Sequence, residues 1–137
     1  MKRLTVAVAL DDECGMMFNN RRQSRDRVMI AEMIETAGGP IAIHQYSAKL
    51  FPEGTELIIC DDPLRDAPRD SFCFIENLPI RERIEDISRF VIYRWNRLYP
   101  ADKHFDVDLG REGFREIGST EFEGSSHEKI SKGIYER

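Results

Sequence analysis

The stretch Leu4-Thr5-Val6-Ala7-Val8-Ala9-Leu10, closed at once by Asp11-Asp12-Glu13, is a short continuous apolar run ended by turn chemistry. Continuous rather than alternating hydrophobicity marks a strand buried on both faces, the kind found in parallel sheets covered by helices. The acids follow too soon for a signal peptide or a membrane span. Outward from this run the same signature returns at Ile41-Ala42-Ile43, Leu57-Ile58-Ile59-Cys60 and Phe72-Cys73-Phe74-Ile75. The last two read as too apolar for sheet edges facing water. From Arg25 to Ala37 the residues Ile30, Met33, Ile34 and Ala37 recur at helical spacing, and Gly38-Gly39-Pro40 stops the helix. His44-Gln45-Tyr46-Ser47 leads into a short helical stretch through Phe51, with Ser47 as the expected N-cap.

Further along, Ile80, Ile84 and Ile87 predict another helix, and Arg89 to Trp95 a fifth strand carrying β-favouring aromatics. Short alternations at 103–106, 114–117 and 129–135, separated by Gly or Ser, read as hairpins at one edge of the sheet. Two segments show no element: the polar, proline-containing stretch between Cys60 and Phe72, and the loop from Gly15 to Ser24. The expected fold is therefore α/β over one domain, residues 1–137: a mostly parallel central sheet with antiparallel C-terminal edge strands and helices on both faces. Ligands of such a sheet sit beyond the carboxyl ends of its parallel strands.

Composition narrows the function classes. The net charge of -5 argues against broad nucleic-acid binding, which relies on a basic stripe to release counterions. Cys14, Cys60 and Cys73 are odd in number and lack CxxC spacing, which points to a reducing, cytoplasmic setting and to neither disulfides nor a zinc site. The histidines His44, His104 and His127 are well separated, and no metal site is expected.

The order of these segments resembles dihydrofolate reductase over nearly the whole chain. Its most specific part is Leu98-Tyr99-Pro100-Ala101-Asp102-Lys103-His104-Phe105, similar to that family's strand leading into a G-D-x-x-F segment. The opening strand running into Asp11 to Met16, the stretch Phe114 to Phe122, and Tyr135-Glu136-Arg137 also resemble the family's start, its W-x-x-x-x-S-E-F strand and its terminal strand. The chain also has the general look of short bacterial proteins described as ribonuclease Z. That family's H-x-H-x-D-H metal-ligand pattern is absent, so no di-zinc hydrolase is implied.

Against the reductase pattern, the departures fall on the cofactor side. The family's G-R-x-T helix start, which holds cofactor phosphates, corresponds to His44-Gln45-Tyr46-Ser47, with neutral Gln45 in place of arginine. Asp61 and Asp62 stand at the end of the third strand, where the family places neutral or basic residues against a 2′-phosphate. Glu76-Asn77 replaces the Gly-Gly turn that admits a pyrophosphate. The stretch from Asp61 to Ser71 is too short for the strand and helix of the family's adenosine-binding half. NADPH in its usual pose is disfavoured, and the cofactor, if any, is unknown.

Several residues carry the remaining chemistry. Asp26 either complements the helix dipole or, by resemblance, stands near the family's pterin-binding acid, with Tyr93 as the strand hydroxyl that would bond it. Glu76, at a strand's carboxyl end, reads as an acid, a base, a hydroxyl acceptor or a loop cap. Arg21, Arg22, Arg25 and Arg27, beside Asn19 and Asn20, either clamp a phosphate or carboxylate or form a solvated face. Ile30, His44, Ser47 and Asn77 complete the expected cleft, while Trp95 reads as core or a dimer seam. The leading expectation is a truncated, divergent reductase-like protein without normal NADPH-dependent activity that binds a small anionic or heterocyclic ligand. The alternatives are an active pterin reductase, a small phosphodiester hydrolase or ribonuclease, and a protein-interaction module.

Overall fold

A computed structural model describes residues 1–137. The opening run forms β1 (Leu4–Leu10), and its continuous hydrophobicity is explained by its place at the sheet centre. It pairs in parallel with β6 (Phe72–Phe74) on one side and β7 (Ile87–Arg94) on the other. Beyond β6 lie β4 (Ile41–Ile43) and β5 (Leu57–Ile59), both parallel. Beyond β7 the antiparallel strands β10 (Ile130–Glu136) and β9 (Arg115–Phe122) complete a seven-stranded sheet of order β5-β4-β6-β1-β7-β10-β9. The expected α/β architecture, mostly parallel with an antiparallel C-terminal edge, is what the chain forms.

Each face of the sheet carries its own core. Leu4, Val6, Val8 and Leu10 alternate onto one face with Phe90 and Ile92, covered by Leu64, Ile80, Val107 and Phe114. The opposite face presents Ala7, Ile41, Ile43, Phe74, Val91 and Tyr93 to Met29, Ile30 and Met33 of helix α1 (Arg27–Ala37). Asp26 is the N-cap of α1, and Gly38 ends it in the left-handed conformation at φ 64° that a residue without Cβ adopts at low cost.

Several sequence expectations are corrected. The segment Gly15 to Ser24 is not a loop: β2 (Gly15–Phe18) and β3 (Arg21–Arg22) form a hairpin, and β8 (Lys103–His104) adds a third strand on the other side of β2. Asn19 and Asn20, at φ 51° and 60°, make its two-residue turn, since a tight hairpin needs positive φ at both positions and asparagine tolerates it. So Lys103-His104 pairs in this small sheet rather than at the main sheet's edge. β5 is an edge strand despite its apolar sequence, with Ile59 half exposed. Between β5 and β6 there is one helical turn, α2 (Pro63–Asp66), with proline at the position where a helix needs no N–H. The stretches near Ser47 and Ile84 are 3-10 helices, Gln45–Leu50 and Arg81–Asp86. The first is capped by His44, whose Nδ1 accepts from Tyr46 N at 3.0 Å; Ser47 lies inside it and is not the cap. No helix is long and apolar enough to cross a membrane.

Candidate functional site

The carboxyl ends of β4 and β6 bring Ser47, Tyr46 and Glu76 to one rim, and the β2–β3 hairpin lays Arg22 across it. Arg22 donates Nε and Nη2 to the two oxygens of Glu76 at 2.9 and 3.1 Å, a fork-on-carboxylate pair with directional as well as Coulombic strength. The same guanidinium donates to the Tyr46 carbonyl at 3.1 Å and sits 4.5 Å over the Tyr46 ring. Ser47 Oγ donates to Glu76 at 2.7 Å, and the Tyr46 hydroxyl accepts from Arg22 N at 2.7 Å. Burial opposes the Arg22 charge, but hydrogen bonding and attraction from Glu76 outweigh it and raise its pKa further. Beneath this lock the gap among Ala9, Met16, Ile75, Glu76 and Trp95 has a volume of about 10 Å³. That is at the lower limit for one water molecule.

Around the start of α1 a second cluster forms. The Asp26 carboxylate is buried and accepts from Val28 N, Met29 N and Ser125 N at one oxygen, and from Ser126 N and the His127 ring at the other, at 2.8–3.1 Å. Burial alone would raise its pKa; the Ser126 and Ser125 amides, then His127 and Met29, outweigh that and hold it well below the usual carboxylate range. An ionised Asp26 only accepts, so His127 Nδ1 carries a proton, and in the neutral imidazole Nε2 presents its lone pair. Ser24 Oγ lies 3.1 Å and the Tyr99 hydroxyl 3.0 Å from Nε2, while the imidazole stacks on Trp95 at 4.5 Å. The loop reaches Asp26 this closely because Gly124 has no side chain: a Cβ there would overlap Asp26 Oδ2 and lie 2.8 Å from Ile130 Cδ1.

The two clusters flank one continuous groove. A cleft of about 710 Å³ is lined by Arg21, Arg22, Ser24, Arg25, Tyr46 and Ser126. It adjoins a hollow of about 450 Å³ where Arg25, Arg27 and Lys49 surround the apolar floor of Ile30 and Leu50. Arg21 and Arg22 also border a third hollow, of about 470 Å³, with Phe18, Asn19 and Tyr99. The side chains of Arg21, Arg25, Arg27 and Lys49 make no salt bridge or hydrogen bond. Asp26, the acid among them, turns its charge inward to its own donors.

Other expected residues are placed apart. Tyr93 does not bond Asp26: its hydroxyl donates to Glu32 at 2.6 Å, and Glu32 also accepts from Lys132 Nζ at 2.8 Å. A tyrosine reaches past the first turn of α1, so it meets the acid on the second. Burial, then the hydrogen bond and charge of Glu32, raise the Tyr93 pKa far above its ordinary value. Asn77 leaves its buried Oδ1 without a donor, while its carbonyl accepts from Lys103 Nζ at 3.1 Å. Asn19, at the hairpin tip, donates its amide to Asp102 at 3.1 Å, and Asn20 is exposed. His127, read as a residue of a Ser-rich turn, is the buried centre of its cluster. Asp11, read as turn chemistry, accepts from Gly15 N, Glu13 N, Gln23 and Tyr99 N and anchors the hairpin. The run Ser125-Ser126-His127 shows short polar residues fit for a tight loop, but nothing in it names Asp26 as their acceptor.

No protein-family profile and no curated protein matches the sequence. Among solved structures the chain is similar to a dihydrofolate reductase from Enterococcus faecalis complexed with NADP(H) and RAB-propyl. The TM-score is 0.68 at 8% identity, over 99% of this chain and 96% of that one.

Proposed function

We propose that this chain, whose fold is that of dihydrofolate reductase, binds small anionic ligands in the basic groove and does not reduce substrates with NADPH. One observation carries the reading: Arg21, Arg25, Arg27 and Lys49 stand without salt-bridge partners around a concave, partly apolar surface in a chain of net charge -5. Cations gathered in a cleft concentrate field there and favour ligands with carboxylate or phosphate groups. Guanidinium groups add paired donors that match such oxygens.

The nicotinamide cofactor held by the Enterococcus reductase does not fit the residues here. A gap of about 10 Å³ behind the Arg22–Glu76 pair does not admit an aromatic ring. Glu76 puts a buried carboxylate where, by resemblance, a pyrophosphate would approach.

Thermal-shift titration tests this with tripolyphosphate, citrate and NADPH on wild type and on the Arg25→Glu/Lys49→Glu variant. Tripolyphosphate is expected to raise the wild-type Tm, with stabilisation of about 2.7 kcal/mol at a hundredfold excess over Kd. The variant should lose that response, and absorbance at 340 nm should show no NADPH oxidation with dihydrofolate. Equal shifts in both proteins, no shift in either, or steady NADPH turnover overturns the reading.

A further inference from the structure

The cluster around His127 has the connectivity of an acyl-transfer site, and we propose that Ser24, His127 and Asp26 form a nucleophile, base and orienting acid that hydrolyses carboxylic esters carrying a separate anionic group. The anionic group rests on the ligand reading above; the reactivity of the serine does not. Ser24 Oγ to His127 Nε2 is 3.1 Å, and His127 Nδ1 to Asp26 Oδ2 is 3.1 Å. Such a constellation is recognised by geometry and roles rather than by chain order or fold.

Three features separate it from an ordinary helix cap. The cap of α1 is complete with Val28 N and Met29 N on one oxygen, yet Asp26 turns its other oxygen to Ser126 N and to the His127 ring, where it fixes the imidazole tautomer. His127 is fixed by the Trp95 stack and buried to 4% exposure, so its basic nitrogen has one outlook, toward the hydroxyls of Ser24 and Tyr99. Ser24, in turn, is partly exposed and lines the 710 Å³ cleft beside the unpaired Arg25.

In the first half-reaction Ser24 Oγ bonds the acyl carbon as its proton passes to Nε2, and the carbonyl π pair moves onto oxygen. When the pair returns, the C–O bond to the alcohol breaks and the alcohol leaves with the proton from Nε2. Water then gives a proton to Nε2 while its oxygen bonds the acyl carbon, and Ser24 leaves reprotonated as the carboxylic acid is released. Ester and water become acid and alcohol, with no oxidant or reductant. Arg21, Arg25 and Arg27 would receive the substrate's second, anionic end.

Nε2 has one lone pair and two hydroxyls, so Tyr99 competes with Ser24 for it. The Tyr99→Phe variant should therefore be labelled at least as fast as wild type. A fluorophosphonate probe with peptide mass mapping supplies the test. Wild type is expected to be modified at Ser24, Ser24→Ala to lose that label, and a folded His127→Gln to label about 100-fold more slowly. No adduct on Ser24 in wild type, or an undiminished rate in a His127→Gln protein with native circular dichroism, overturns the proposal. Should His127→Gln not fold, a wild-type adduct on Ser24 together with Tyr99→Phe labelling at least as fast as wild type supports the proposal, and slower labelling in Tyr99→Phe overturns it. The p-nitrophenyl monoester of succinic acid should be cleaved faster than p-nitrophenyl acetate, and Arg25→Glu should erase the difference. Labelling at Ser24 without that preference keeps the serine chemistry and removes the anion reading; anion-induced stabilisation without labelling does the reverse.

Discussion

Asp26 shows how much one side chain can hold together. Its carboxylate ends a helix dipole, closes the Gly124–His127 loop and sets the protonation of an imidazole, all through charge-assisted hydrogen bonds. Its folded-state pKa lies below the unfolded value of about 3.9. The unfolded chain therefore takes up the proton first as acid is added. The stabilisation is complete above that value and is lost as pH falls from about 4 toward the folded-state pKa. Asp26→Asn should cost about 2–3 kcal/mol at neutral pH and flatten the acid limb of a stability-against-pH curve from urea unfolding. The sequence placed Asp26 at a helix start beside a dipole, and that much was legible. Its loop partners lie about a hundred positions away, and no local pattern encodes a contact at that range. The same holds for Arg22 and Glu76: each has the residue type of a binding group, but that they neutralise one another follows only from how the hairpin folds over the rim.

Among the elements, the β2–β3 hairpin decides the shape of the site, since it carries Arg21 and Arg22 into the groove. Its turn rests on Asn19 and Asn20 at positive φ. Asn20→Ala should cost about 1 kcal/mol, because an L-residue with a Cβ disfavours that region, whereas Asn20→Gly should be neutral or slightly stabilising. Urea midpoints of the two variants check the contrast. A two-residue Asn-Asn turn is a readable hairpin signal, and the flanking Met-Met-Phe and Arg-Arg concealed it because neither side alternates apolar with polar. The parallel strands were legible for the opposite reason: burial on both faces leaves an unmistakable run in the sequence. Edge position was not, because β5 has apolar faces and an open hydrogen-bonding side, and hydrophobicity reports only on faces. Ser47 looked like a cap by residue type, but His44 fills that role with a ring nitrogen and frees Ser47 for Glu76.

Over the whole molecule the chain is net negative, yet the groove concentrates free guanidinium groups. Attraction across exposed charges is screened beyond about 8 Å at physiological ionic strength. Raising NaCl from 0.05 to about 0.5 M should weaken tripolyphosphate binding severalfold in calorimetric titration, while the unliganded protein's urea midpoint does not fall. Fold class was legible at this scale because the apolar strand runs and the amphipathic helix between them agreed on a single layered arrangement. Strand β10 also sits between β7 and β9, so the outer neighbour of β7 is supplied by a stretch synthesised after every other strand of the sheet. A nascent polypeptide emerging from the ribosome has β1, β6 and Asp26 in hand long before residues 124–127 and β10 appear. Until then the carboxylate lacks its loop amides and one flank of β7 is open. Assembly of the site thereby waits on residues 124–127, and a chain stalled just short of Gly124 is one that cellular quality control would meet with one edge of β7 still open.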